Sequence, residues 1–165
     1  MSVLSVHVQL SGFETIESAL ARLNPFKSGV LLEALARLIR ESARERVLSG
    51  GPAPDGSAWK ANLEGRTPIL HRSGALARSI DYAVIGNRIE VGSGLIYAAI
   101  HQFGGVIKPK TAKALRFTWN DAAFGVGLAT VKQVTMPARP YIGLSADDRA
   151  ELVQATVGYV RSLFP

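Results

Sequence analysis

The sequence contains no cysteine. Disulfides, thiolate nucleophiles and cysteine-ligated zinc or iron–sulfur centres are therefore excluded, and the fold has to stand on packing and polar contacts. No stretch approaches the ~18 consecutive apolar residues of a membrane span. Met1 to Leu10 alternates apolar and polar residues, where a secretory leader would set a basic stretch before an apolar block. Histidine is scarce: His7, His71 and His101 stand far apart, none with a second histidine at metal-ligand spacing. Gly86, Gly92 and Gly94 lack the spacing of a dinucleotide fingerprint, and Gly104-Gly105 is not followed by the Lys-Ser/Thr of a phosphate loop. No metal, cofactor, nucleotide or membrane partner is expected.

What is present fits one compact domain. A chain of 165 residues, 47% of them apolar, can bury roughly 70% of the surface its unfolded form exposes. Its 19 basic and 13 acidic residues are unevenly spread. Between Gly104 and Tyr141, Lys108, Lys110, Lys113, Arg116, Lys132 and Arg139 face only Asp121, so this segment carries +5 of the chain's +6. Such a segment suits a polyanion, whose phosphates bind cations in a salt-sensitive, sequence-independent way. It equally suits a solvated loop or a protein interface.

Leu4, Val6, Val8 and Leu10, with polar residues between, predict a half-buried strand. Glu14 to Leu23 predicts a short helix closed by Asn24-Pro25. The strongest helical signal runs from about Ser28 to Ser49. Leu31, Leu35, Leu38, Ile39 and Val47 form its apolar stripe, and Glu33 and Arg37 stand in the favourable i, i+4 order. Residues 50–66 begin with a Gly/Pro-rich run that cannot continue a helix, which predicts a mobile loop. A short helix over Ser73 to Ile80, capped by Ser73, is followed by strands Asp81 to Ile85 and Arg88 to Gly92 around the turn pair Gly86-Asn87. Leu95 to Phe103 predicts another helix. Val106 to Lys108, Ala114 to Trp119 and Ala129 to Met136 predict strands, the last two joined by a flexible Asn120 to Gly127 connection, so that 106–136 forms an extended basic hairpin. The last helix, about 146–163, starts at a Ser145/Asp148 capping box and presents Leu152, Val153, Thr156, Val160 and Leu163 on one face. Helices flanking hairpin-linked strands imply an α+β domain, with the long and C-terminal helices packed on a mixed or antiparallel sheet.

Reactive groups are not gathered anywhere along the chain. His101 shares a helix face with Tyr97 but has no paired carboxylate or activated serine nearby, so packing at a helix end is the simpler role and a small hydrolase the remote one. Asp147-Asp148 is explained by helix capping. Trp59 and Trp119 suit core or interface anchoring, because no aromatic ladder accompanies the basic residues.

Four stretches are distinctive in order and spacing: Pro54-Asp55-Gly56-Ser57-Ala58-Trp59; Ile69-Leu70-His71-Arg72-Ser73-Gly74-Ala75-Leu76; Val91-Gly92 with Tyr97-Ala98-Ala99-Ile100-His101-Gln102-Phe103-Gly104-Gly105; and Pro137-Ala138-Arg139-Pro140-Tyr141-Ile142-Gly143-Leu144-Ser145. Together they resemble the phage virion morphogenesis, or tail completion, family of Mu-like phages and prophages. The resemblance implies a non-enzymatic structural protein that makes the tail competent to join the head. Its partners would be other tail or neck proteins and further copies of itself, its sites the host cytoplasm during assembly and then the virion tail or head–tail junction. The motif residues are then Trp59, Ser73, Gly74, Leu76, Tyr97, His101, Gln102, Phe103, Gly104, Gly105, Pro137, Arg139, Pro140 and Gly143. Lys108, Lys110, Lys113, Arg116, Lys132 and Arg139 are the candidates for a partner interface or a DNA-lined lumen, with the hairpin edge open to a neighbouring subunit. Arg139, held between Ala138 and Pro140, is also suited to pin the fold by two-point binding of a carboxylate. A basic nucleic-acid-binding module is the alternative.

Overall fold

A computed structural model describes residues 4–8, 28–62, 65–121 and 125–163. The helix expected over Glu14 to Leu23, and Leu10 at the end of the first strand, lie outside them. In chain order the elements are β1 (Leu4–Val8), α1 (Ser28–Ser49), α2 (Ala75–Ser79), β2 (Ile80–Ile85), β3 (Arg88–Ser93), α3 (Ala98–Phe103), β4 (Gly105–Ile107), β5 (Leu115–Asp121), β6 (Gly125–Val131), β7 (Val134–Met136) and α4 (Ala146–Ser162). The fold is α+β and every strand pair is antiparallel. The strands divide into three small sheets, ordered β1-β3-β2, β4-β7 and β5-β6.

α1 organises the core. Leu31, Leu35, Ile39, Ala43 and Val47 recur every four residues and are each at most 4% exposed, the spacing that lines one face of a 3.6-residue helix. They pack on the face of the β2–β3 hairpin carrying Ile80, Ile89 and Val91. Register follows from alternation: Ile80 faces Ser93, Tyr82 faces Val91 and Val84 faces Ile89, so a one-residue slip would turn this set to solvent. Gly86 opens the two-residue turn with φ 60°, which glycine adopts without steric cost. On the flank of α1, the Tyr82 hydroxyl receives a bond from Arg37 Nε and donates one to Glu33. The expected Glu33–Arg37 pair is thus bridged by a tyrosine from the sheet.

α4 packs against α1. Its cap is as expected: the Ser145 hydroxyl accepts from the Asp148 N–H, and the Asp148 carboxylate accepts from the Ser145 N–H. Its buried face differs, because Val153 is exposed and Leu152 packs with Ala155 and Tyr159 instead. Those three recur at i, i+3 and i+7, whereas Val153 lies about a hundred degrees round from Leu152.

Several boundaries differ from expectation for local reasons. α2 begins at Ala75 because Gly74, in the left-handed region at φ 73°, occupies the cap position; the Ser73 hydroxyl accepts only a long 3.4 Å bond from the Ala75 N–H. Leu95 to Tyr97 forms a turn ahead of α3. Asn120, Asp121 and Gly125 to Gly127, expected in a flexible connection, belong to β5 and β6. The single strand expected over Ala129 to Met136 is split at Lys132-Gln133. β4–β7 and β5–β6 nest as one ribbon, but 108–114 must be accommodated on one side against 132–133 on the other, and the ladder breaks there. Within the segment expected as a mobile loop, Ala53 and Trp59 are buried.

Where α1 meets α4, Arg46 turns inward. Its Nη2 lies 2.9 Å from Asp148 Oδ2 in a pair 8% and 12% exposed, and Nη1 donates to the Tyr141 carbonyl at 2.8 Å. Burial alone would raise the Asp148 pKa, but bonds from Ser42 and Ser145 and the Arg46 charge outweigh it and hold the carboxyl below its ordinary range. A depressed carboxylate stabilises the fold above the unfolded value of about 4 and stops doing so as pH falls through the folded value. Asp148→Ala, which orphans a buried guanidinium, should cost about 3 kcal/mol in urea unfolding. Asp148→Asn should flatten the acid limb of the stability–pH profile.

A candidate assembly surface on a pinned scaffold

Segment 137–145 has almost no regular structure, yet Arg139, Tyr141 and Ile142 are buried in it. Its backbone groups are satisfied by side chains brought from elsewhere. Gln102 on α3 accepts from the N–H groups of both Tyr141 and Ile142 at 2.9 and 3.0 Å, and donates to the Ile142 carbonyl at 2.9 Å. Trp59, 8% exposed, donates its indole N–H to the Pro140 carbonyl at 3.0 Å. Arg46 takes the Tyr141 carbonyl. The Tyr141 hydroxyl donates to the Ala98 carbonyl, and its burial raises the phenol pKa. Two glycines permit the close approach. A Cβ on Gly104, at φ 69°, would lie 2.7 Å from the Ala138 nitrogen, and one on Gly143 would lie 2.7 Å from Pro54 Cγ.

Arg139 is 3% exposed. Its Nε donates to the Lys60 carbonyl at 2.7 Å and Nη2 to the Ala61 carbonyl at 2.9 Å, while its backbone N–H donates to the His101 carbonyl at 2.7 Å. Two-point binding occurs, with backbone carbonyls in place of the expected carboxylate. The same burial removes Arg139 from the exposed cations it was grouped with. His101 is half-buried, with Tyr97 edge-on at 5.9 Å between ring centroids. Its Nδ1 is buried and unpartnered among the described residues, and burial together with Arg139 lowers its pKa. This favours neutral imidazole at neutral pH.

The remaining motif residues divide by direction. Leu76 is in the core and Gly74 is buried at the start of α2; Pro137, Pro140 and Gly143 are half-buried along the pinned segment. Ser73, Gly105, Tyr97 and Phe103 face solvent, Phe103 at 61% exposure. Lys108, Lys110, Lys113, Arg116 and Lys132 are all exposed. The nested pairing gathers them: Lys108, Lys110 and Lys113 lie in the 108–114 bulge, Lys132 stands in the short interruption opposite, and Arg116 follows at the start of β5. All five thus fall at or beside the break between the two ladders, a basic collar at the waist of the ribbon. Beyond it β6 exposes two large apolar residues, Val126 at 76% and Leu128 at 67%, opposite Asn120 and Thr118 of β5. The side chain of Trp119, on β5, lies outside the described residues. Among the described residues no helix is long and apolar enough to cross a membrane, and no cluster of three histidine or carboxylate residues could hold a metal ion.

Three of the four motif stretches thus meet at one pinned segment, and the sequence profile of the phage virion morphogenesis family matches residues 8–161. The chain belongs to the phage virion morphogenesis family. Among curated proteins it is similar to the Mu-like prophage FluMu G protein 2 of Haemophilus influenzae, at 27% identity over 161 residues that cover 96% of this chain and 98% of that protein. No solved structure matches it. In this member of the family the pinned segment draws distant stretches together: Trp59, Gln102 and Arg139 bond across 78–81 and 40 residues of sequence to backbone atoms of 60–61 and 140–142.

Arg46 was not singled out in the sequence, although a signal existed. It stands seven residues after Ile39 and three after Ala43, on the apolar face of α1, where a charge predicts a buried partner. Gln102→Leu, which leaves two amides and a carbonyl unpaired, should cost on the order of 3 kcal/mol of stability. Phe103→Ser, at an exposed site, should change the thermal midpoint little; differential scanning fluorimetry of both variants checks the contrast.

Proposed function

We propose that this family member acts in tail completion and head–tail joining as a non-catalytic assembly protein. It would be built into a homo-oligomeric ring near the DNA path after folding in the host cytoplasm, and would contact other tail or neck proteins. The observation that carries the proposal is the division of motif residues between a pinned interior and an outward surface, in a chain whose family is one of virion morphogenesis. An assembly protein needs a rigid frame and exposed, partner-ready side chains. The apolar ribbon end, the basic collar and Phe103 supply the second. The half-buried His101 packs edge-on to Tyr97 and gives its carbonyl to the Arg139 N–H, and its buried Nδ1 meets no hydrogen-bonding partner among the described residues.

Disrupting the gene in its phage should leave filled heads and tails unjoined in electron micrographs, restored by a plasmid copy carrying His101→Ala as well as by the wild type. Joined, infectious particles without the gene would refute the proposal. A second reading, binding to nucleic acid, is favoured by the clustering of five cations. If all five meet phosphates, affinity for duplex DNA in fluorescence anisotropy should fall with salt at a log–log slope of about −4.5. A flat salt response would assign the collar to protein contacts.

A further inference from the structure

A two-stranded ribbon is marginal in water unless another layer covers it, and neither β5 nor β6 joins a further strand among the described residues. Each spans seven residues, about 24 Å at the usual strand rise. Residues directly opposite in the ladder share a face, so Arg116 with Thr130 and Thr118 with Leu128 lie on one side, continued toward the tip by Val126. That side runs from a cation at the waist to the exposed Val126 and Leu128, whose ladder partners are Asn120 and Thr118. Such apolar surface on a projecting element marks a binding site.

The same chain carries a surface of opposite character. The C-terminal end of α1, the 51–56 loop and the 140–149 stretch enclose an open groove of about 1130 Å³. Its apolar lining includes Pro54 and Leu144, with Gly143 close beside Pro54. The carboxylates Glu45, Asp55 and Asp147 lie exposed along it, with Arg149 the one exposed cation among its lining residues. Asp148 is already matched by Arg46. Open along its length, the groove suits an extended segment better than a small ligand, which is normally buried over most of its surface.

We propose that the ribbon of one copy docks in the groove of the next, its exposed Val126 and Leu128 over Pro54 and Leu144 and its basic collar against Glu45, Asp55 and Asp147. The proposal rests on the assembly function above and specifies the contact. A second copy is the occupant because both complementarities, apolar with apolar and cation with carboxylate, are present on one chain. Ribbon and groove are different surfaces, so the contact is head-to-tail, and its repetition closes a ring when the rotation allows. Opposed potentials also steer the encounter and reject ribbon-to-ribbon pairing, in which collar would meet collar.

The test uses two full-length variants: Lys110→Glu with Lys113→Glu on the ribbon, and Asp55→Lys with Asp147→Lys in the groove. Their mass distributions are read by analytical ultracentrifugation, and unchanged circular dichroism melting verifies folding. Wild-type protein should self-associate, and each variant alone should need at least tenfold more protein to do so. An equimolar mixture should recover wild-type assembly, because reversed ribbon then meets reversed groove while the two unaltered surfaces still match. Leu128→Asp should weaken assembly with no rescue from either charge variant. The contact is overturned if the mixture fails to recover, if either variant assembles as the wild type does, if wild-type protein stays a single chain at millimolar concentration, or if the ribbon variant loses only duplex DNA binding. Any of these, in a gene still required for head–tail joining, sinks the contact and leaves the assembly function standing. Rescue in the mixture, with joining intact in gene-disrupted phage, sinks the assembly function and leaves the contact.

Discussion

A buried stretch of backbone with no ladder of its own must find a partner for each N–H and C=O, since each orphan costs on the order of 1–3 kcal/mol. In this protein that demand falls on residues 140–142, and one side chain meets most of it. The Gln102 amide holds two N–H groups and one carbonyl of Tyr141 and Ile142, as a neighbouring strand would. Trp59 takes the Pro140 carbonyl and Arg46 that of Tyr141. The remaining architecture follows from that clasp. The 51–62 loop is tied down through Trp59, α3 through Gln102, α1 through Arg46, and α4 is continuous with the clasped segment through the Ser145 cap. Polar networks of this kind contribute little net stability but are costly to leave incomplete, which favours one arrangement over its alternatives.

The consequence for function is a separation of roles along the chain. Residues that must converge in the interior are spent on holding the clasp, so the surface is free to carry the partner contacts. The ribbon is the extreme case: it follows β4 and precedes β7, immediately beside the Gly104 contact with Ala138, and beyond that anchor it exposes its cations together with Val126 and Leu128. A rigid root with an uncovered end is what an element needs to meet another subunit at a defined angle.

The α+β class, the long helix, the Gly86-Asn87 hairpin and the Ser145 capping box were legible from residues alone, because each depends on local chemistry: periodicity, turn conformation, or a side chain reaching its own backbone. What could not be read depends on register between distant segments. The gathering of Lys108, Lys113 and Lys132 into a collar follows from two nested ladders of unequal interruption, and a linear charge count cannot show that. Arg139 looked like one more member of the basic cluster, because only the fold reveals the Lys60 and Ala61 carbonyls waiting for it. Arg46 was hidden among the many arginines of α1, although its place on the apolar face was visible. Val153 was misplaced because two adjacent apolar residues offer two equally good faces until α1 selects one.

A clasp on which the rest of the fold depends should open at Tyr141 and Ile142 only when the whole molecule does. Native-state hydrogen exchange measures this directly. The amides of Tyr141 and Ile142 should exchange as slowly as those in the middle of α1, with the same denaturant dependence. Exchange at these two amides at the rate of an exposed loop, while α1 remains protected, would contradict the account.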